Sequence, residues 1–336
     1  MFYSVLRLFI RLGLMWYAPG LKARNIWQAR YTYPTIIIAN HPNSFLDALV
    51  IAAYAPVKIC FLTRGDIFKY PVANVVLRWL SMLPVYKRND DEDFAVKNDF
   101  TFDECMRRLT AGEHVLIFPE GRSRNLWELQ PFMNGGLTSL LERSYRVELP
   151  LQIQPYTLNY NSFRHVPKAI ELEALPPLDT TEYISGHQVE TAAIIRDVRN
   201  NLREAMVASP LAPEQDLGKD NRFWRVTAKI GYYTQFWFYR LWRDYIKKKT
   251  EGTIFYDSLL FSVLLFSYPL FVLFCSVLIS RFVGFWGGFF VFIFLPTTAY
   301  AMARFQQAVT ETETNIPKQN AWNRTTESHA NREDAE

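Results

Sequence analysis

Residues 34–47 read Pro34-Thr35-Ile36-Ile37-Ile38-Ala39-Asn40-His41-Pro42-Asn43-Ser44-Phe45-Leu46-Asp47. The unbroken apolar run, bounded by turn-forming residues, predicts a strand covered on both faces, because a half-solvated strand would alternate. Residues 45–54 then keep helical spacing, and Pro42 suits the first turn of a following helix. A buried strand feeding a helix is the repeating unit of a layered α/β domain. On either side, strands are expected at 34–40, 58–63, 84–87, 115–118 and 149–158, with a further candidate at 168–174. Helices are expected at 45–54, 71–80, 94–109 and 137–146, and another near 182–206 closes the unit.

The flanks of this domain have a different character. The 336-residue chain is 49% hydrophobic, which is ordinary, but residues 258–303 hold one charge, Arg281. No acidic residue precedes Asp47, whereas Arg7, Arg11, Lys22, Arg24 and Arg30 do. A freely soluble enzyme is excluded on this distribution. Residues 259–279 and 282–302 are uncharged, and each run can cross a hydrocarbon core of roughly 30 Å as a helix. Only Ser280 and Arg281 separate them, so a tight hairpin is expected, kinked at Pro269 and Pro296. A long hairpin buried in a soluble core is the alternative. Lys247, Lys248 and Lys249 before the first run and Arg304 after the second put both flanks in the cytoplasm and Arg281 outside. Residues 1–257 then face the cytoplasm.

Two further stretches read as membrane-surface helices. Residues 1–24 set Phe2, Tyr3, Leu6, Phe9, Ile10, Leu14 and Trp16 against Arg7 and Arg11. Residues 222–249 interleave arginines and lysines with Phe223, Trp224, Tyr232, Trp237, Tyr239 and Trp242. For the second, an aromatic helix packed on a core with a solvated basic face is the alternative. The expected organisation is an interfacial N-terminal helix over 1–30, an α/β domain over 31–215 and a basic-aromatic segment over 216–252. Two membrane helices over 253–304 and a polar, disordered tail over 305–336 follow, with 209–221 read as a linker. The formal net charge of +4 sits beside apolar stretches, which fits anionic lipid headgroups and not a nucleic acid. Cys60, Cys105 and Cys275 have no short spacing, so neither a disulfide framework nor a zinc site is expected, and a reducing compartment fits.

In an open α/β sheet, chemistry gathers beyond the carboxyl ends of the strands. His41 follows the first strand, and a neutral imidazole there can take a proton from a hydroxyl. Asp47, about one turn into the next helix, can hold the ring tautomer and stabilise the imidazolium; a structural His–Asp pair, with Asp47 favouring the helix start, is the alternative. A second such place reads Phe118-Pro119-Glu120-Gly121-Arg122-Ser123-Arg124. Gly121 lets a ligand approach the backbone, Arg122 and Arg124 suit a phosphate, and Glu120 can bind a hydroxyl. Lys87 and Arg88, after another strand, add two basic groups. No serine or cysteine with its own base is apparent, which favours direct transfer over a covalent intermediate.

Taken together, these residues resemble the glycerolipid acyltransferase superfamily, which includes lysophosphatidate and glycerol-3-phosphate acyltransferases. Its Asn-His block with a nearby Asp is similar to Asn40, His41 and Asp47, and its strand ending in a basic residue is similar to residues 83–88. Phe118-Pro119-Glu120-Gly121 matches its third block, and Pro150-Leu151-Gln152-Ile153-Gln154-Pro155 resembles its fourth. The blocks occur in family order over about residues 31–175. Five residues, Pro42 to Leu46, separate His41 from Asp47, one more than usual, and Arg122 stands outside the commonest register. These departures resemble a branch that reads Phe-Pro-Glu-Gly-x-Ser and then Leu-Gln-Pro, as Leu129-Gln130-Pro131 does here. That branch contains fungal-type glycerol-3-phosphate/dihydroxyacetone-phosphate acyltransferases. A family lysine expected shortly afterwards is Met133.

The resemblance implies a layered α/β acyltransferase domain, no metal and no resident cofactor. It implies acyl-CoA or acyl-carrier protein as donor and glycerol-3-phosphate or 1-acylglycerol-3-phosphate as acceptor, in phospholipid biosynthesis at the cytoplasmic membrane. His41 would be the base and Asp47 its orienter. Glu120, Gly121, Arg122, Ser123, Arg124, Lys87 and Arg88 would bind the acceptor. The rivals are a thioester or lysolipid hydrolase and a non-catalytic membrane lipid-binding protein.

Overall fold

Ile36, Ile37 and Ile38 are fully buried, with sheet neighbours on both sides and helices on both faces, as their unbroken apolar run requires. The computed structural model describes residues 2–87, 92–186, 188–211 and 222–309. In chain order its elements begin with α1 (Phe2–Tyr17), β1 (Gly20–Arg24), β2 (Thr35–Ala39), α2 (Phe45–Tyr54), β3 (Ile59–Arg64), α3 (Pro71–Trp79) and β4 (Met82–Val85). Next come α4 (Phe94–Thr110), β5 (His114–Ile117), α5 (Gly135–Arg146), β6 (Gln152–Tyr160), β7 (Ala169–Ala174), β8 (Leu178–Asp179) and α6 (Thr191–Ala205). The last three helices are α7 (Arg222–Lys249), α8 (Tyr256–Val283) and α9 (Phe285–Val309).

These eight strands form one mixed sheet in the order β1-β7-β6-β2-β5-β3-β4, with β8 pairing β6, and Ile184–Ser185 and Gln188–Val189 pair separately as a two-stranded antiparallel ribbon. From β6 through β2, β5 and β3 to β4 every pair is parallel, while β7 runs antiparallel to β6. Successive residues of β2 serve opposite faces. Ile37 and Ala39 pack in a core with α1, α2 and α8, whereas Ile36 and Ile38 pack in a second core with α4, α5 and α6.

The N-terminal segment differs from the expected single helix over 1–30. The helix stops at Tyr17, because Pro19 disfavours helical backbone at Ala18, and residues 20–24 add β1 beside β7. Arg7 and Arg11, expected at headgroups, both donate to the Ala53 carbonyl at the end of α2, where a helix presents unsatisfied oxygens. Val5, Leu8, Leu12 and Met15 remain exposed along the other side of α1.

Two helices, Tyr256–Val283 and Phe285–Phe305, are long and apolar enough to cross a membrane. They pack against each other closely, and a Cβ on Gly288 would stand 2.6 Å from the Ser276 carbonyl oxygen. Leu270, Phe274, Phe282, Phe285, Trp286 and Phe290 are exposed, which a hairpin hidden inside a soluble core would not leave open. The basic-aromatic stretch 222–249 forms α7, and it does more than lie on a surface. Gly231 meets α9 so tightly that a Cβ would be 2.2 Å from the Thr298 carbonyl oxygen, and buried Gln235 donates to the Leu295 carbonyl at 3.0 Å. The expected linker falls largely on residues 212–221, and 310–336 of the expected tail lie likewise outside the described residues. Residues 305–309, placed in that tail, complete α9.

Candidate active site

β2 and β5 are neighbours, so the segments beyond their carboxyl ends meet. His41 Nδ1 lies 2.9 Å from Asp47 Oδ2, and the imidazole stacks on Phe118 with ring centroids 3.9 Å apart and planes within 9°. Asp47 is 0% exposed and receives two further donors: the Asn43 amide at 2.7 Å on Oδ2 and the Tyr160 hydroxyl at 2.6 Å on Oδ1. A buried carboxylate persists only when donors replace its hydration, and these three also fix its orientation. With Nδ1 facing the carboxylate, Nε2 is the ring nitrogen that can exchange a proton.

The loop is held on several sides. Asn40, fully buried, extends the β2–β6 pairing with its side chain, donating to the Leu158 carbonyl and accepting from the Leu158 amide, both at 2.8 Å. Ser44 adopts φ 52°, a region non-glycine residues rarely occupy, and its amide donates to the Ser123 hydroxyl at 2.7 Å. Strained backbone of this kind persists where surrounding contacts over-determine it. Ser123 therefore ties the histidine loop to the loop after β5, and Arg124 does the same with its amide on the His41 carbonyl at 3.3 Å.

Glu120 sits beneath the histidine, its Oε1 accepting the His41 amide at 3.0 Å. Burial pushes its carboxyl up to about 8, with the Asp47 charge adding to the rise, while the hydrogen bonds from the His41 and Gln130 amides and the Arg124 charge oppose it. At neutral pH Glu120 is mainly protonated and can donate as well as accept. Gly121 has φ +66°, and a Cβ there would come 2.2 Å from Met133 Sδ. Met133, where the resemblance expected a lysine, thus folds over the glycine.

His41, Asp47, Glu120, Ser123 and Arg124 are brought together in this way. Exposed Gly121 and partly exposed Arg122 share the loop after β5, whereas exposed Lys87 ends the segment after the edge strand β4, with β3 between it and β5. Arg88 lies outside the described residues. The sequence reading missed Tyr160 and Asn43, and it missed a buried ion pair alongside them. Lys168 Nζ is 2.5 Å from Asp257 Oδ2, with both side chains 0% exposed. Asp257 opens α8, and an acidic residue at the head of an apolar run is the signal that could have found it.

Residues 21–157 match the Acyltransferase family model. The chain therefore carries an acyltransferase-family catalytic domain. It is 24% identical over 185 residues to a lyso-ornithine lipid O-acyltransferase from Rhodobacter capsulatus, covering 46% of this chain and 62% of that one. To a lyso-ornithine lipid O-acyltransferase from Rhizobium meliloti it is 25% identical over 151 residues, covering 44% and 48%. The matches thus span about half to three fifths of these relatives' lengths. A similar solved structure is the 1-acyl-sn-glycerophosphate (LPA) acyltransferase PlsC from Thermotoga maritima, with 16% identity, a TM-score of 0.44, and coverage of 60% and 78%.

Proposed function

We propose that this protein is a membrane-bound O-acyltransferase that moves a fatty acyl group from acyl-CoA or acyl-carrier protein to a hydroxyl of a glycerol-phosphate acceptor. The acceptor is glycerol-3-phosphate or 1-acylglycerol-3-phosphate, and the second would give phosphatidic acid. The observation that carries this reading is the His41–Asp47 contact at 2.9 Å beside a buried Glu120. His41 Nε2 takes the acceptor hydroxyl proton as the oxygen attacks the thioester carbonyl. The tetrahedral adduct then collapses, the C–S bond breaks, and the imidazolium returns the proton to the leaving sulfur. Asp47 holds the tautomer and stabilises the imidazolium. Protonated Glu120 and the Gly121 backbone position the acceptor, while Arg122, Arg124, Lys87 and Arg88 supply charge for a phosphate. The Phe118-Pro119-Glu120-Gly121 run followed by Ser123 supports the fungal-type branch. The domain faces the cytoplasm, where thioester donors are made.

A lyso-ornithine lipid is the second acceptor reading, favoured by the names of both curated relatives and by Met133 standing where a phosphate-binding lysine was expected. The test gives purified protein in detergent a labelled acyl donor with glycerol-3-phosphate, 1-acylglycerol-3-phosphate or lyso-ornithine lipid, and identifies the product. Transfer to a phosphate acceptor is expected, and His41→Ala should lower it by about 10²–10⁴-fold. Free fatty acid as the sole product with every acceptor would identify a hydrolase. Absence of any turnover would leave a lipid-binding protein.

A further inference from the structure

Two fully buried charges join parts of the chain far apart in sequence. Lys168 follows the loop after β6, and Asp257 belongs to the first turn of α8. Taking both ions out of water carries a large desolvation cost, and apolar residues of similar size often replace such a pair without loss of stability. Stability is thus a weak reason for the pair, and its surroundings supply a better one. Asp257 Oδ2 accepts the Asn43 side-chain amide at 2.9 Å, and Oδ1 lies 3.2 Å from the donating Tyr17 hydroxyl. Lys168 Nζ also donates to the Ser162 carbonyl at 2.6 Å. Next to Asp257, the Ser258 hydroxyl accepts the Leu46 amide at 3.1 Å and donates to the Asn43 carbonyl at 3.3 Å. The head of α8 therefore grips Asn43 and Leu46, the residues between His41 and Asp47, at three points.

We propose that the buried Lys168–Asp257 pair is a positioning device that fastens the His41–Asp47 loop to the apolar helix α8, so that the site is in register only when α8 is docked. Lys168 holds the Asp257 carboxylate, and Asp257 holds Asn43. The Asn43 backbone N–H in turn donates to the Asp47 carboxylate that orients His41. Neither Lys168 nor Asp257 touches the reacting atoms. The effect on catalysis rests on the acyl-transfer reading, and the effect on the loop does not.

Two double variants separate positioning from folding. Lys168→Met with Asp257→Leu removes the anchor without leaving a lone buried charge, whereas Lys168→Met with Asp257→Asn keeps an amide oxygen for Asn43. Displacing a catalytic group by about 1 Å can cost 10²-fold, so the Met/Leu pair should lose about 10–100-fold in kcat, with KM for donor and acceptor nearly unchanged. Hydrogen exchange at the amides of residues 43–46, read without substrate, should speed up in parallel. The Met/Asn pair should recover at least about tenfold of the kcat loss and the slow exchange, since the acceptor for Asn43 is restored. Equal kcat in the two pairs, or a loss of kcat without faster exchange, would overturn the proposal. If the wild-type protein transfers no acyl group, the acyl-transfer reading falls, and the exchange difference alone decides whether α8 holds the loop.

Discussion

Glu120 shows how one residue's surroundings set its chemistry. Its carboxyl is pushed from 4.5 to about 8, chiefly because burial strips away the water that would stabilise the anion. The folded protein keeps this proton across a range where the unfolded chain has released it. Between about pH 4.5 and 8 the folded state binds the extra proton, so stability contributed by this group is full below 4.5 and is lost as the pH climbs through 8. Glu120→Gln keeps the shape and an oxygen for the His41 amide but cannot ionise. Unfolding midpoints measured from pH 5 to 8 should fall for the wild type, and the variant should show a clearly shallower decline, the difference reaching at most a few kcal/mol. Parallel pH profiles for the two proteins would mean that Glu120 is ionised in the fold.

Among the elements, α7 teaches the most about close approach. Its position at α9 depends on Gly231, where any Cβ would collide with the Thr298 backbone. Gly231→Val should push the helices apart and break the Gln235 bonds to Leu295 and Thr298, costing about 1–3 kcal/mol as over-packed contacts do. Thermal unfolding in detergent should fall accordingly, and an unchanged midpoint would show that α7 docks elsewhere. This contact was not legible in the sequence, because a glycine in a basic-aromatic helix carries no periodic signal. The β2 run was legible, since three consecutive isoleucines can be buried only between two layers, and so was the helix 45–54 behind it. β1 was not, because Lys22 and Arg24 on a five-residue edge strand look like solvent-exposed chain. At the site, His41, Asp47 and Glu120 could be found because each follows or closes a strand-to-helix turn. Tyr160 could not, because Asp47 is more than a hundred residues away in sequence and only the fold brings the two together; Asp257 carried a signal at the head of its apolar run, but nothing in the sequence tied it to Asn43.

At the scale of the whole molecule, the candidate site lies at the end of the hairpin where α8 begins. Asp257 and Ser258 touch the histidine loop, and the apolar surface of α8 runs away from that point toward Arg281. An acceptor with one fatty chain would therefore reach His41 while its tail stays in the leaflet nearest the α8 start. Lys247, Lys248 and Lys249 close α7 just before that start, and the proposed topology places this triplet on the cytoplasmic side by the positive-inside rule. Single cysteines at Ser4, Lys248 and Arg281, in a chain lacking Cys60, Cys105 and Cys275, would report these positions to a membrane-impermeant thiol reagent. Positions 4 and 248 should label only when the cytoplasmic face is opened, and 281 should label from outside in intact cells. Cytoplasmic labelling at 281 would mean that α8 and α9 enter and leave by the same face without crossing. Labelling of 248 from outside would put His41 on the side where no thioester donor is made, and acyl transfer would then be untenable.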